Sequence, residues 1–175
     1  MASWAQFETE APQLAAAAAR LWPGMVALHR GAAKPLDVPW FPVSYLATVR
    51  GDGSPRLHPI CPILAGGRLF VAIPRTSPKG LDLRRDSRCV IHALPGPDDD
   101  ELCIRAVASE VTDDPSIRIR ALVCGVVARS GVGGMIESVS NDPLFEFDLR
   151  AVDIAWWLDI GQPGTRAVRQ RWIAT

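Results

Sequence analysis

The chain carries no surplus charge of either sign. Its 19 Lys and Arg balance 19 Asp and Glu, so the formal net charge is zero and the pI is near 6.8. A general nucleic-acid binder needs a basic excess to neutralise phosphates, so that class is excluded, while a local basic pocket is not. The four cysteines, Cys61, Cys89, Cys103 and Cys124, form no CxxC pair, and their spacing offers no zinc motif. They read as small hydrophobes in a reducing compartment. The longest apolar run after the N-terminal alanines, Ala121 to Ala128, is too short to cross a bilayer. Glu8 and Glu10 precede the alanine run, where a secretory signal wants positive charge, and Arg20 ends it. A cytoplasmic protein without nucleic-acid or membrane partners is expected. Internal repeats and low-complexity linkers are also missing. His29 and His92 lack a neighbouring acid or cysteine that would complete a nucleophilic set. Gly131, Gly133 and Gly134 lack the preceding strand and following helix of a dinucleotide fingerprint.

What is present is enough for one domain spanning residues 1–175. A chain of about 150 residues buries roughly 70% of the surface it exposes when unfolded, without staples. Pro12 to Trp22 predicts a helix, because alanine is the best helix former and Pro23-Gly24 stops it. Met25 to Pro42 reads as a loop with a short helical turn at its start. Val43 to Arg50 alternates as a strand, and Asp52-Gly53 signals a hairpin. Pro55 to Leu64 reads as the next strand, bent or at an edge because of Pro59 and Pro62. Gly66-Gly67 turns the chain into Leu69–Ile73, an apolar run expected to be covered on both faces. Pro78 to Arg85 predicts a helix with Ser77 as N-cap and Pro78 at its first position.

Further strands are expected at Arg88–Leu94, Leu102–Thr112, Leu144–Leu149, Val152–Leu158 and Ala167–Ile173, with a turn over Pro95–Asp100. A helix opens at Asp114-Pro115 and runs to about Gly125, and the glycine-rich stretch Ser130–Asp142 reads as a loop. About seven strands and three helices, joined by hairpins, favour a mainly β (α+β) fold. The expected architecture is an antiparallel sheet closed into a barrel with flanking helices. Trp4, Trp22 and Trp40 are assigned to core or dimer packing.

The densest chemistry lies at Thr76, Ser77 and Lys79. A phosphate monoester wants several donors, and hydroxyls, a lysine and the free N–H groups of a helix start supply them together. Arg56 in the neighbouring strand offers a second cation, and alternation puts His58 on the same face.

The runs ATVRGDGSPRLHPI, GGRLFVAIP, TSPKGLDLRRDSRCVIH and SEVTDDP resemble, in that order, the FMN-binding split-barrel family related to pyridoxamine 5'-phosphate oxidase. The opening MASWAQFETEAPQLAAAAAR resembles the N-terminal helix of uncharacterised members. The likeness is clearest from Tyr45 to Pro115. It implies an N-terminal helix over 1–24, a barrel core over 43–113 and C-terminal strands over 143–173. It also implies a six-stranded split barrel, a homodimer, and FMN in clefts at the subunit interface. Arg56, Ser77 and Lys79 match the residues that grip the flavin phosphate in the family. The oxidases have Arg where this chain has Pro78, and a Tyr-Thr pair where it has Ala72 and Ile73. Thr76 or Arg75 then stands in for the missing phosphate contacts, with Ile73 kept at the cofactor. Near the C-terminus Trp157 and Arg171 match the flavin-contacting Trp and Arg, while a His-Asp pair is replaced by Arg169-Gln170. The resemblance therefore implies an FMN-dependent oxidoreductase acting on a small molecule that the sequence does not name. Its alternatives are an F420-dependent reductase, favoured by cations such as Arg75, Arg84 and Arg85, and a non-catalytic flavin- or haem-binding module.

Overall fold

Glycine turns and one two-residue link shape the sheet. The computed structural model describes residues 1–32, 39–96, 99–112 and 115–175. Two hairpins come first. β1 (Ser44–Val49) pairs with β2 (Pro55–Ile60), and β3 (Ile63–Ala65) with β4 (Arg68–Ala72). Pro55–Leu64 is thus two strands and not one bent strand, broken at Cys61-Pro62, where Pro62 has no N–H to continue the ladder. The β3–β4 turn depends on Gly67, which holds φ +71° and whose missing Cβ would lie 2.6 Å from that of Ala5.

β5 (Arg88–Ala93), β6 (Glu101–Glu110), β7 (Leu144–Leu158) and β8 (Arg166–Ile173) complete an antiparallel sheet. Its order is β2-β1-β5-β6-β7-β4-β3, with β8 alongside β7. The described residues hold eight strands, against about seven expected from pattern and the six of the resemblance. Leu144–Leu158 is a single strand in place of the two expected. Arg105 pairs with Ala151 and Ala106 with Leu149, so Arg150 is an extra, bulged residue. The bulge flips the alternation: Phe145, Phe147 and Leu149 face the core before it, and Val152 and Ile154 after it.

The order of strands dictates the curl. β2 and β3 end the path, six strand spacings apart, which is roughly 29 Å in a flat sheet. Only Cys61 and Pro62 separate them in the chain, and three residue steps reach about 11 Å at most. The sheet must roll up until its edges meet. No ladder joins β2 to β3 among the described pairings, so the barrel has a seam closed by the chain itself.

Among the described residues six helices flank the sheet, against three expected. α1 (Trp4–Glu10), α2 (Pro12–Leu21) and α3 (Pro23–His29) replace the single N-terminal helix. Pro23-Gly24 ends one helix and starts the next. Proline suits a first helical position, and Gly24 lets Pro39 pass, its carbonyl oxygen lying 2.0 Å from where a Cβ would sit. Trp4 and Trp22 stack at 5.8 Å, and Phe7 meets Trp172 at 5.3 Å, tying these helices into the barrel core. Trp40 packs against the second core. Pro95–Asp100 and Asp114 fall partly or wholly outside the described residues.

α4 (Pro78–Arg85) forms as expected. α5 runs over Pro115–Ser130, past the expected end at Gly125. Ser130–Asp142, expected as a loop, contains α6 (Gly133–Asn141). The second core lies under α3, α5 and α6 and includes Ile63, Phe70, Val123, Val127, Val139 and Leu144. Leu69, Val71 and Ile73 pack into the barrel and Phe70 into this second core, so β4 is covered on both faces as expected. The outer face of β1, β2 and β8 stays open, with Tyr45, Leu57 and Ile173 exposed.

Candidate functional site at the seam

α4 packs on β1 and β6 with its first turn beside the seam, and a buried carboxylate fastens it to the β1–β2 hairpin. Asp82, 3% exposed, accepts from Arg56 Nε at 2.6 Å, Thr48 Oγ1 at 3.0 Å and Arg85 at 2.9 Å. Burial alone would raise its pKa. The hydrogen bonds from Arg85, Arg56 and Thr48 outweigh burial and hold the carboxyl below the usual range. Arg56 therefore faces inward from β2 with its Nε engaged by Asp82.

Lys79, in the first turn of α4, reaches the free edge of β2. Its Nζ donates to the Pro59 carbonyl at 2.9 Å. The same lysine lines a cavity of about 330 Å³ at the seam, together with Val43, Pro59, Ile60, Cys61, Val71, Ala72, Met135 and Ser138. Burial pushes the Lys79 ammonium below the usual lysine value, and the neighbouring Cys61 pushes it back up. Burial likewise raises the Cys61 thiol against the pull of Lys79. His58 shares the inward face with Arg56. Burial, then the charges of Lys79 and Arg56, lower its pKa, so it stays neutral, and its Nε2 is buried without a hydrogen-bond partner.

Arg56 and His58 on β2 and Ser77 and Lys79 at the start of α4 lie in one region, but of the four only Lys79 lines the seam cavity. Ser77 stands at the N-cap position, but its side chain makes no capping bond, contrary to expectation, which leaves the hydroxyl for another partner. Thr76 and Arg75 are exposed on the turn before it. Ile73 is fully buried in the barrel core, so its side chain faces the interior and not the cavity. Arg84 and Arg85 are tied to Glu110 and Asp82 within the fold. Trp157 and Arg171 lie apart from the seam, on the outer face of β7 and β8, where Arg171 pairs with Asp153.

Cys61, Asp82, Met135 and Ser138 escaped the sequence reading. For α6 the signal was present: Val132, Met135, Ile136 and Val139 follow helical spacing, which three nearby glycines masked. Asp82 sits in LDLRRD, a run that resembles a solvated helix face.

No family model matches the chain, and no curated protein matches it. Solved structures do. A haem-binding protein from Mycobacterium smegmatis superposes with TM-score 0.54 at 20% identity over 84% of this chain, which spans 57% of that protein. HutZ, the haem storage protein from Vibrio cholerae, gives 0.53 at 19% identity over 74% of this chain and 90% of its own. A protein from Listeria innocua, provisionally named a pyridoxamine 5'-phosphate oxidase, gives 0.51 at 18% identity over 77% of this chain and 97% of its own. The chain has the pyridoxamine 5'-phosphate oxidase-like split-barrel fold. At these identities the likeness concerns the fold alone.

Proposed function

We propose that the seam cavity holds the phosphate end of FMN and that the chain is a flavin-dependent oxidoreductase acting on a small molecule. One observation carries this reading: Lys79, a half-buried cation with no carboxylate partner among the described residues, opens into a cavity beside the start of α4. The Ser77 hydroxyl, which makes no capping bond, adds a donor for an anion. The volume of about 330 Å³ is at the small end for ligand sites, which suits a phosphate and its tail with the ring system at the open rim. Val43, Ile60, Val71 and Met135 give that rim an apolar wall. A flavin supplies two-electron redox chemistry. The chain's part is to hold the phosphate through Lys79 and Ser77 and to shield the slot from water through α6. Arg84 and Arg85 are ion-paired with Glu110 and Asp82, which leaves Arg75 alone of the three cations that would favour the more anionic F420.

The open outer face fits a second copy of the chain. A concavity of about 670 Å³ there is lined by Ala47, Val49, Pro55, Val90 and Val107 among others, beside the exposed Leu57 and Tyr45.

The test is the absorption spectrum of freshly purified protein, followed by titration with FMN, riboflavin, F420 and haem. FMN is expected to bind, riboflavin at least tenfold more weakly, and Lys79→Ala to remove most of that difference. A protein that binds haem or F420 but not FMN overturns the reading, as does equal affinity for FMN and riboflavin.

A further inference from the structure

The two ends of α6 are held very differently. The last carbonyls of a helix have no partner inside it. Arg120, reaching across from α5, donates through Nη1 to the carbonyl of Val139 and, at 3.0 Å, to that of Asp142. A guanidinium at this end also suits the helix dipole. Ser138 Oγ donates to Asp142 Oδ2 at 2.8 Å, and Val139 is fully buried in the second core. The Pro143 carbonyl then accepts from the Ile73 N–H at 2.9 Å, and Leu144 opens β7. The C-terminal end is thus pinned to α5, to the second core and to the sheet.

The start of α6 has no such fastening. Val132 occupies the N-cap position, and its side chain offers no acceptor to the first N–H groups. Gly131 holds φ +70°, and a Cβ on Gly131, Gly133 or Gly134 would meet nothing within 4 Å among the described residues. Residues 131–134 are all exposed. Glycine is a weak helix former, so this turn bends or unwinds at little cost. The chain ahead of it is fixed again: Arg129 donates to the Leu28 carbonyl at 3.0 Å and Ser130 Oγ to the Val127 carbonyl at 2.6 Å. A glycine-rich link therefore joins two anchored points. Met135 comes directly after it and lines the seam cavity, as does Ser138 nearer the pinned end. At about 1.5 Å per residue Met135 lies roughly 9 Å along the axis from Asn141, so a tilt of about 20° about that end carries it roughly 3 Å.

We propose that α6 is a hinged lid on the seam cavity. It turns about the end pinned by Arg120, residues 131–134 absorb the turn, and Met135 is the edge that opens and closes the slot. The lid rests on the seam cavity as the ligand site and not on which ligand enters it. Cys61 lines the same cavity and is partly exposed, so its alkylation reports opening, and Cys103, on the outer face of the sheet, is the internal reference. The ligand-free full chain is treated with iodoacetamide near pH 8, and each thiol is followed by mass spectrometry of its peptide. Gly133→Ala/Gly134→Ala introduces no clash and stiffens the start of α6, so it should slow Cys61 by about fivefold or more while Cys103 keeps its rate. Met135→Ala should speed Cys61 by about threefold or more and, combined with the two alanines, cancel most of their effect. Melting curves check that each variant is folded, and the single Gly134→Ala serves if the pair is unstable. An unchanged Cys61 rate in the folded alanine variant, or an equal slowing of Cys103, would overturn the lid. Titration of the same proteins with FMN keeps the two readings apart. Slowed Cys61 alkylation without FMN binding upholds the lid and sinks the flavin; FMN binding with an unaltered Cys61 rate does the reverse.

Discussion

Asp82 is the residue on which the polar contacts of the seam converge. Three donors from three elements meet one buried carboxylate. Replacing it with Asn removes the charge that Arg56 and Arg85 compensate. Breaking a buried ion pair costs about 3–5 kcal/mol, and the low end applies because both guanidiniums keep contact with solvent. Asp82→Asn is expected to lower the melting temperature by roughly 6–12 °C, at 2–4 °C per kcal/mol for a chain of this size. The acid limb gives a second readout. The folded pKa of Asp82 is lowered, so its contribution is complete above the unfolded value of about 3.9 and is lost as pH falls through the lower folded value. His29 and His58 act earlier. Their folded pKa values are also lowered, so the unfolded chain takes up more protons below about 6.5, and stability falls with pH there too. Melting temperature against pH should show a shallow decline below 6.5 and a steeper one below 4; Asp82→Asn should flatten the second alone.

At the scale of elements, Phe70 and α6 make contrasting predictions. Phe70 is fully buried between β4 and the helices, and Phe70→Ala should destabilise by about 3–5 kcal/mol, read from denaturant midpoints. Met135 on α6 is only partly buried and lines the seam cavity, so Met135→Trp should narrow the slot and weaken FMN binding several-fold with little change in melting. The hairpins and α4 were legible in the sequence because each carries its own punctuation: Asp52-Gly53, Gly66-Gly67, and Ser77-Pro78. The errors fall where tertiary contact overrides local signals. Pro23-Gly24 stops α2 as read, yet it also starts α3, because proline suits a first helical position. Ser130–Asp142 reads as a loop because glycine weighs against helix, yet Val139 is fully buried in the second core. Arg150 bulges in the middle of one long strand, and an alternation that slips by one residue looks like two strands. The candidate site was half legible. The residue types at Arg56, Ser77 and Lys79 prompted the proposed anion site, but pairing of Arg56 with Asp82 is a long-range contact that no local pattern reveals.

For the whole molecule, the open sheet face sets the expected assembly. Leu57 is 61% exposed on it, so Leu57→Asp should not unfold the chain. Sedimentation is expected to report a dimer for the unsubstituted protein and a monomer for Leu57→Asp; a dimer in both would move the contact elsewhere. The link at Cys61-Pro62 has a consequence for connectivity. Ala2 bonds to Asp148 and Leu149, and Ala174 to Arg150, so residues near both ends of the chain lie side by side on β7. Joining those ends and reopening the chain at Pro62 would keep every ladder of the sheet in place. Such a permuted chain would be the same sheet without its hoop, free to unroll from β2 and β3. The difference in melting between the two forms would measure how much of the barrel's closure comes from covalent tethering and how much from the side chains packed inside it.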